Sequence, residues 1–308
     1  MKKVICVVLS VLLAVSCLTG LSGCGSSKKT TLYVYNWGQY ISEGDDDSLD
    51  VIAAFEEKYP NIKVNYSTYD SNEVLYTKLA AGGVTVDVII PSDYMIGRMV
   101  QEGMLEELNF SNIPNYQYID DAFKNTSYDP ENKYSVPYTW GTVGIIYNTT
   151  MVDEPITSWG AMFDEKYAGQ VLMINNSRDA LMAALCYLGY DINTTDEAQL
   201  TEAFRLVKDA KDKVVDQAVG TDEVFGKREG GNAAIAMYYA GDYLTMLENN
   251  EDLAFVIPEE GSNWFVDAMC VLKDTQHMAE AEEWINFIAS TDSNLANMDY
   301  IWYASPNR

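Results

Sequence analysis

The sequence contains a single histidine, His277, in a chain of 308 residues. One imidazole excludes a zinc site built on several histidines and an iron site of the two-histidine type. A Ser-His-Asp triad would have to use this residue, and no G-x-S-x-G motif accompanies it. His277 follows a polar stretch, 273–276, at the start of a predicted amphipathic helix. We therefore interpret it as a solvated surface residue and not as a catalytic base.

Basic residues are scarce, because 20 lysines and arginines stand against 46 aspartates and glutamates, for a formal net charge of −26. A protein that grips phosphates needs a basic stripe, so the sequence argues against a nucleic-acid partner. With 48% hydrophobic residues the chain is too apolar for disorder, and we expect two lobes. Most of the carboxylates keep the protein soluble, and their excess favours cationic partners.

The apolar run 4–18 is too short and too weakly flanked for a membrane-spanning helix. It follows Met1-Lys2-Lys3 and precedes Leu21-Ser22-Gly23-Cys24, an order that is typical of a secretory signal. The last four residues also resemble the bacterial lipobox, in which the cysteine is acylated and becomes the new N-terminus. We predict a signal peptide over 1–23, a lipidated Cys24 and a short flexible linker over 24–30. Ordinary signal cleavage is the alternative. Either way, we expect an extracytoplasmic location, on the membrane or in the periplasm.

Two of the five cysteines fall within the body of the chain, Cys186 and Cys270. Cys186 lies in an apolar helical pattern and Cys270 in a strand-like run, so both are interpreted as small core residues. A disulfide between them stays open at this point.

The body alternates β-rich runs with helical patterns. The strand candidates span 31–35, 62–67, 86–90, 142–147, 170–174, 233–238, 253–257 and 265–272, and the helix candidates span 50–58, 71–81, 94–102, 178–188, 196–210, 241–249 and 279–289. Strands separated by crossover helices predict an α/β fold with mostly parallel sheets and helices on both faces. Ligands of such sheets bind outside the carboxyl ends of the strands.

Four of the strand candidates run directly into aromatic or acidic residues. The four junctions are Asn36-Trp37-Gly38-Gln39-Tyr40, Pro91-Ser92-Asp93-Tyr94, Asn175-Asn176-Ser177-Arg178-Asp179 and Tyr239-Ala240-Gly241-Asp242. A single such ending would mean little, because Asp and Asn commonly cap helices and start turns. Together, the four predict a cleft lined by rings and carboxylates.

Such a cleft suits a flexible organic cation. An ammonium group needs a carboxylate and neutral acceptors to replace its water. A ring face adds about 0.5–2 kcal/mol by cation–π attraction, and each buried methylene adds about 0.8 kcal/mol. A linear polyamine is therefore favoured over a sugar, whose site usually includes Arg or Lys donors. The four junctions supply only Arg178.

The same residues carry a family resemblance over about 31–308. The matching stretches are Tyr35-Asn36-Trp37-x-x-Tyr40, Tyr66-Ser67-Thr68-Tyr69-x-Ser71-Asn72-Glu73, Pro91-Ser92-x-Tyr94, Ser135-Val136-Pro137-Tyr138-x-Trp140-Gly141 and Tyr303-Ala304-Ser305-Pro306-Asn307. They resemble the spermidine/putrescine-binding proteins of polyamine ABC importers. The resemblance implies a two-lobed periplasmic-binding-protein fold with the ligand cleft between the lobes. Lobe one would comprise 31–141 and 266–308, and lobe two 142–265.

The resemblance also implies roles for individual residues. Trp37, Tyr40, Ser92 and Tyr94 match the lobe-one side of the polyamine site. Asp267, two residues after Phe265, matches the carboxylate that meets an amine at its centre. Tyr303 matches a tyrosine near the far end, and Tyr239-Ala240-Gly241-Asp242 resembles the Trp-Ala-Gly-Asp of putrescine-preferring relatives.

Several positions depart from the family pattern. Gly38 stands where a hydroxyl residue is common, and Asn176 and Asp179 stand where spermidine-preferring proteins carry Asp and Glu. Tyr239 and Phe265 replace two tryptophans. The family usually continues for several dozen residues past 303–307, so we expect a truncated product with a looser site. The choice between putrescine and spermidine stays open.

The predicted function is capture without chemistry, by a monomer that hands its ligand to a membrane permease and needs no metal or cofactor. One alternative is a binding protein for another cargo, such as a sugar or an iron complex. A glycosidase is a second, because any two of Asp93, Asp179, Asp242 and Asp267 could pair, although nothing in the sequence fixes their separation. A calcium site at 45–50 is a third, but it lacks the EF-hand spacing.

Overall fold

The computed structural model describes residues 29–219 and 233–308. The predicted signal peptide, the predicted lipidation site Cys24 and nearly all of the predicted linker lie outside the described residues. In the described ranges, no helix combines the length and the apolar character that crossing a bilayer requires.

Nine strands and eight α-helices alternate along the described chain. The strands are β1 (Thr30–Trp37), β2 (Ile62–Tyr69), β3 (Val88–Ile89), β4 (Ser135–Asn148), β5 (Val171–Ile174), β6 (Val215–Val219), β7 (Ile235–Tyr239), β8 (Leu253–Val256) and β9 (Trp264–Val271). The helices are α1 (Val51–Lys58), α2 (Asn72–Ala81), α3 (Asp93–Gln101), α4 (Ser177–Tyr187), α5 (Glu197–Lys213), α6 (Ala240–Asn249), α7 (Met278–Ile288) and α8 (Thr291–Ile301).

Side-chain caps explain where several helices begin. Asp50 accepts a hydrogen bond from the backbone N–H of Ala53 at 2.8 Å, and Ser71 accepts one from Val74 at 3.2 Å. Asn176 accepts from two backbone N–H groups at the start of α4, and Asp196 does the same at the start of α5. These oxygens pair with donors that the first helical turn leaves unsatisfied, which fixes the starts of the predicted helices.

The strands form one continuous mixed sheet in the order β2-β1-β3-β9-β4-β7-β5-β6, with β8 paired to β4. The outer strands of each half pair in parallel, as crossover helices require. The pairings of β3 with β9 and of β4 with β9, β7 and β8 are antiparallel. The expectation of mostly parallel sheets is therefore wrong in this detail. The reason is that β4 and β9 carry the chain between the two halves in opposite directions.

The 14-residue strand β4 belongs to both halves of the sheet. Its first part pairs with β9 and its second part with β7 and β8. Separate apolar clusters fill the two halves. One surrounds Phe55 and Trp284, and another surrounds Trp159 and Tyr238, all four of which are almost fully buried.

The two cysteines of the body lie in different clusters. Cys186 is packed in the cluster around Trp159, and Cys270 lies on β9 in a third cluster with Leu75 and Met99. Both thiols are free and buried, so they are core residues, as predicted, and they do not form a disulfide.

His277 is less exposed than the sequence suggests, with 30% of its side chain accessible. Its Nδ1 lies 3.2 Å from both carboxylate oxygens of Asp87. Asp87 is buried just before β3 and also accepts from the backbone N–H of Tyr33 and the hydroxyl of Thr275. The interpretation of His277 as a solvated surface residue is therefore only partly right, because the ring is half-buried against the carboxylate of Asp87.

The close approach of β8 to β4 depends on Gly144. A Cβ built there would lie 2.5 Å from the carbonyl oxygen of Val256 and would also overlap the ring of Phe255. We expect Gly144→Ala to lower the free energy of unfolding by about 1–3 kcal/mol, as overpacking does elsewhere. Urea denaturation measures this change.

Gly97 provides the matched control. It lies inside α3, and a Cβ there would sit 3.5 Å from the nearest heavy atom, on Tyr128. Gly97→Ala should leave the free energy of unfolding unchanged or raise it by about 0.5–1 kcal/mol, because alanine is the better helix former. Equal stabilities of the two variants would contradict the close packing at Gly144.

Candidate functional site

A cavity of about 790 Å³ lies at the carboxyl ends of β1, β3, β5 and β7. Every residue that the sequence singled out for a ligand site lines it. They are Trp37, Tyr40, Ser92, Asp93, Tyr94, Asn176, Asp179, Tyr239, Asp242, Phe265, Asp267 and Tyr303. The structure therefore brings the side chains at the four strand ends together in one cavity, as the sequence predicts.

The elements explain how these side chains converge. Trp37 ends β1, Ser92 precedes α3, Asn176 caps α4, and Tyr239 joins β7 to α6. The strand β9 contributes from the centre of the sheet, since it runs between β3 and β4. Parallel strands ending at helix starts from both halves, with β9 between them, thus form the walls of one cavity.

Asp267 is the most desolvated acid of the cavity, with only 4% of its surface exposed. Its Oδ2 accepts a hydrogen bond of 2.8 Å from the hydroxyl of Tyr40, which in turn is hydrogen-bonded to the hydroxyl of Thr139. Its Oδ1 is buried and has no hydrogen-bond partner within residues 29–219 and 233–308. One acceptor oxygen is thus held in place. The other makes no hydrogen bond of good geometry, although the hydroxyl of Ser92 lies close enough to Asp267 to favour its ionised form.

Burial is the main cause that raises the pKa of Asp267 to about 7, and the charges of Asp93 and Asp179 add to it. The hydroxyls of Ser92 and Tyr40 oppose this rise because they favour the ionised form. A carboxylate in this position is only partly ionised near neutral pH. A cation at Oδ1 would restore its charge.

Asp179 is 5% exposed, and both of its oxygens already accept hydrogen bonds. Tyr239 donates its hydroxyl to Oδ2 at 3.2 Å, and Asn263 donates its side-chain amide to Oδ1 at 3.0 Å. Burial raises the pKa of Asp179 to about 6, against the effect of these two donors and of Arg178. This acid is therefore fixed in orientation by neutral groups.

The other two acids come from different halves of the sheet, Asp93 after β3 and Asp242 after β7. Asp93 accepts from the backbone N–H groups of Tyr94 and Val266, and burial raises its pKa. Asp242, in the first turn of α6, accepts a hydrogen bond of 3.1 Å from the hydroxyl of Tyr303. Each carboxylate is oriented by a neighbouring donor.

Aromatic rings wall the cavity in edge-to-face pairs. The rings of Tyr239 and Phe265 lie 5.5 Å apart, and those of Tyr40 and Tyr303 lie 4.8 Å apart. Gly241 makes room for one pair, since a Cβ there would come within 2.7 Å of the Tyr303 ring. Such a wall offers apolar faces for methylenes and electron-rich faces for cations.

Arg178 is a cation whose charge acts on two of these acids. Its guanidinium lies over the ring of Tyr94, 4.9 Å from the ring centre, and its charge favours ionisation of Asp93 and Asp179. The hydroxyl of Tyr94 donates to Glu73 at 2.9 Å. Arg178 therefore joins α4 to α3 across the cavity.

Sequence reasoning missed several lining residues. They are Gln39, Gly97, Ile192, Tyr238, Ser262, Asn263, Trp264 and Val266, the surface groups Arg98, Gln101 and Asn193, and the loop residues Ala122 and Lys124–Tyr128. Asn263 carried a usable signal, as a polar residue directly before the strand that carries the predicted Asp267. The loop carried none, because it is brought to the cavity by chain segments distant in sequence. No group of three or more potential metal ligands occurs in the part of the chain that the structure describes.

The fold and this cavity define a two-lobed solute-binding protein, and the comparisons with known proteins agree. Residues 50–308 match the family of bacterial extracellular solute-binding proteins. The chain belongs to this family. Since the family consists of binding proteins, the prediction that the chain is not an enzyme is confirmed.

Individual relatives are similar over most of their length. The spermidine/putrescine-binding periplasmic protein of Salmonella typhimurium is 31% identical over 94% of this chain and 81% of that protein. The structure of PotD from Streptococcus pneumoniae, a spermidine/putrescine ABC transporter substrate-binding protein, is 37% identical with a TM-score of 0.74, over 91% of this chain and 84% of PotD. The TpPotD lipoprotein of Treponema pallidum is 29% identical with a TM-score of 0.79, over 88% and 84%.

The buried Asp267 should make the free protein less stable as the pH rises. Its folded-state pKa of about 7 lies above the ordinary value, so the stability present at low pH is lost between about pH 4 and pH 8. We expect Asp267→Asn, which mimics the neutral acid, to be more stable than the wild type at pH 8 by about 1–4 kcal/mol. The difference should shrink towards pH 4. Urea denaturation across this range checks it, and a variant that is less stable at pH 8 would contradict it.

Proposed function

We propose that this chain binds a linear polyamine, putrescine or spermidine, in the cleft between its lobes and delivers it to the membrane permease of an ABC importer. The observation that carries the proposal is the unpartnered, buried Oδ1 of Asp267 in a cavity walled by aromatic rings and three further carboxylates. The names of the relatives support the same class of ligand.

Different groups of the cavity bind different parts of the polyamine. One ammonium binds at Asp267, where it supplies the donor and the charge that burial has removed. Methylenes pack against Trp37, Tyr239 and Phe265. Other ammonium groups bind at Asp179 or at Asp242, whose carboxylates are already oriented by neutral donors. No covalent step is involved.

Binding also explains how a permease would distinguish loaded from empty protein. The predicted lobe one, 31–141 and 266–308, supplies Asp93 and Asp267, and the predicted lobe two, 142–265, supplies Asp179 and Asp242. A ligand that contacts both groups favours the closed arrangement by its differential affinity. The two crossing strands β4 and β9 are the segments about which the lobes close.

Titration calorimetry with putrescine, spermidine and a sugar tests the ligand class. Heat with a polyamine and none with the sugar is expected, and the reverse would refute the proposal. Because Asp267 and Asp179 have pKa values of about 7 and 6 and must ionise to bind a cation, the affinity should rise at least about tenfold from pH 5.5 to pH 8. Proton release near pH 6.5, seen in buffers of different ionisation enthalpy, accompanies it.

Asp267→Asn is the matched variant for this titration. It should weaken the affinity at pH 8 by more than about tenfold, because a desolvated ammonium loses its charge partner. It should also reduce the pH dependence. Since we expect this variant to be the more stable protein at pH 8, a loss of affinity is not a loss of fold. An unchanged dissociation constant would contradict the placement of Asp267.

We further propose that Cys24 is lipidated and holds a monomeric binding protein at the outer face of the membrane. The lipobox-like residues before Cys24 support this, and a relative from Treponema pallidum is itself described as a lipoprotein. In cells, Cys24→Ser should move the protein from the membrane fraction to the soluble fraction. The internal variant Cys186→Ser is the control and should stay in the membrane fraction. Retention of the Cys24 variant in the membrane would contradict the anchor.

A further inference from the structure

The carboxylate of Asp179 is held by two elements other than its own helix. Asp179 lies in the first turn of α4, while Tyr239 ends β7 and Asn263 directly precedes β9. The amide of Asn263 donates to Oδ1 at 3.0 Å and the hydroxyl of Tyr239 donates to Oδ2 at 3.2 Å. The two oxygens are thereby fixed in both position and rotation. Among the described residues each accepts one side-chain hydrogen bond, and a carboxylate oxygen has a second lone pair with which to accept from a ligand.

Asn263 is itself anchored to the central strand. Its carbonyl oxygen accepts a hydrogen bond of 2.6 Å from the hydroxyl of Thr142, and the neighbouring Ser262 donates to the carbonyl of Val143 at 2.6 Å. The carbonyl of Asn263 and the hydroxyl of Ser262 both belong to the turn before β9. Thr142 also pairs with Trp264 in the sheet. The amide of Asn263 therefore reaches Asp179 from a rigid base.

Asp267 is fixed by the same strand. It lies four residues after Asn263 on β9, opposite Thr139 of β4, and the hydroxyl of Tyr40 holds its Oδ2. Both acids line the same cavity, and the charge of Asp179 raises the pKa of Asp267. Two carboxylates fixed through one strand define a fixed spacing, and a diamine places its two charges at a spacing set by its methylene count.

We propose that Asn263 is a positioning residue that fixes Asp179 relative to Asp267 and so sets the chain-length selectivity of the site among diamines. The inference rests on the proposed function. Asn263 acts through Asp179 and contributes an uncharged donor, so it orients the acid without supplying a competing ammonium. Without the amide, Asp179 keeps only the Tyr239 bond and gains rotational freedom, and diamines of different length bind with more similar affinity.

The test measures dissociation constants for α,ω-diamines of three to six carbons at pH 8, by calorimetry on the full chain. We expect the wild type to prefer one length by about tenfold over its neighbours. Asn263→Leu, which keeps the approximate shape without the donor, should weaken the best diamine by about three- to tenfold and compress this preference to less than about threefold.

A double variant distinguishes the positioning of Asp179 by Asn263 from a general loosening of the turn before β9. In an Asp179→Asn background, Asn263→Leu should change the length preference no further, because its effect passes through the carboxylate. Ser158→Ala is the neighbouring control, since it removes a hydrogen bond to Glu260 in the segment before β9 and Ser158 contacts neither Asn263 nor the cavity. It should keep the wild-type order of affinities. An effect of Ser158→Ala equal to that of Asn263→Leu overturns the inference.

The pH dependence of diamine affinity is a second readout, and a general loosening of the turn before β9 would not change it. The Asn263 amide lowers the pKa of Asp179. Among the described residues, Arg178, Asp93, Tyr94, Tyr239 and Asp267 are the charged or titratable groups that interact with the same carboxylate. Asn263→Leu should therefore shift the rise in affinity to higher pH. A wild type that binds no diamine overturns the proposed function. A wild type without length preference, or a variant with the wild-type preference and pH profile, overturns this inference alone.

Discussion

The desolvation of Asp267 is the constraint on which the rest of the site depends. An acid with one oxygen held by Tyr40 and the other without a donor is costly to bury, and burial accordingly raises its pKa to about 7. The surrounding rings keep water away and so maintain this cost in the empty protein. A ligand that brings both a positive charge and a donor relieves it. The burial of Asp267 therefore lowers the stability of the empty protein and raises its affinity for a cationic ligand.

The crossing strands make such an arrangement rigid. Asp267 lies opposite Thr139 in the pairing of β9 with β4, and Phe265 lies opposite Gly141, whose missing side chain leaves room for the ring. An isolated bridge between Ser92 and Asp267 ties the start of α3 to the same point. The central acid therefore sits where the sheet is paired on both sides. The outer acids, in contrast, lie at helix starts and are oriented by side chains from other elements.

Much of the site could be predicted from the sequence because strand ends and helix caps are local signals. Trp37, Asp93, Asp179 and Asp242 all follow apolar β-rich runs, and parallel pairing brings such ends together. The antiparallel pairing of β4 with β9 could not be predicted, because an alternation of apolar and polar residues indicates a strand but not the direction in which it runs. The first part of β4 was missed too, since Pro137 and the irregular pairing near Thr139 weaken the strand pattern. The contact of Asn263 with Asp179 joins residues far apart in sequence, and no local pattern predicts it.

The acid excess of the chain separates into two roles. The cavity acids are not fully ionised near neutral pH in the empty protein, since burial raises the pKa of Asp93, Asp179 and Asp267 and the charges of Asp93 and Asp179 further oppose the ionisation of Asp267. The empty site is therefore less negative than its formal charge. Attraction at long range must come from the many exposed carboxylates, and salt screens it within about 10 Å. Recognition comes from the buried acids, which salt screens much less. Surface charge can then vary widely without altering which cation is bound.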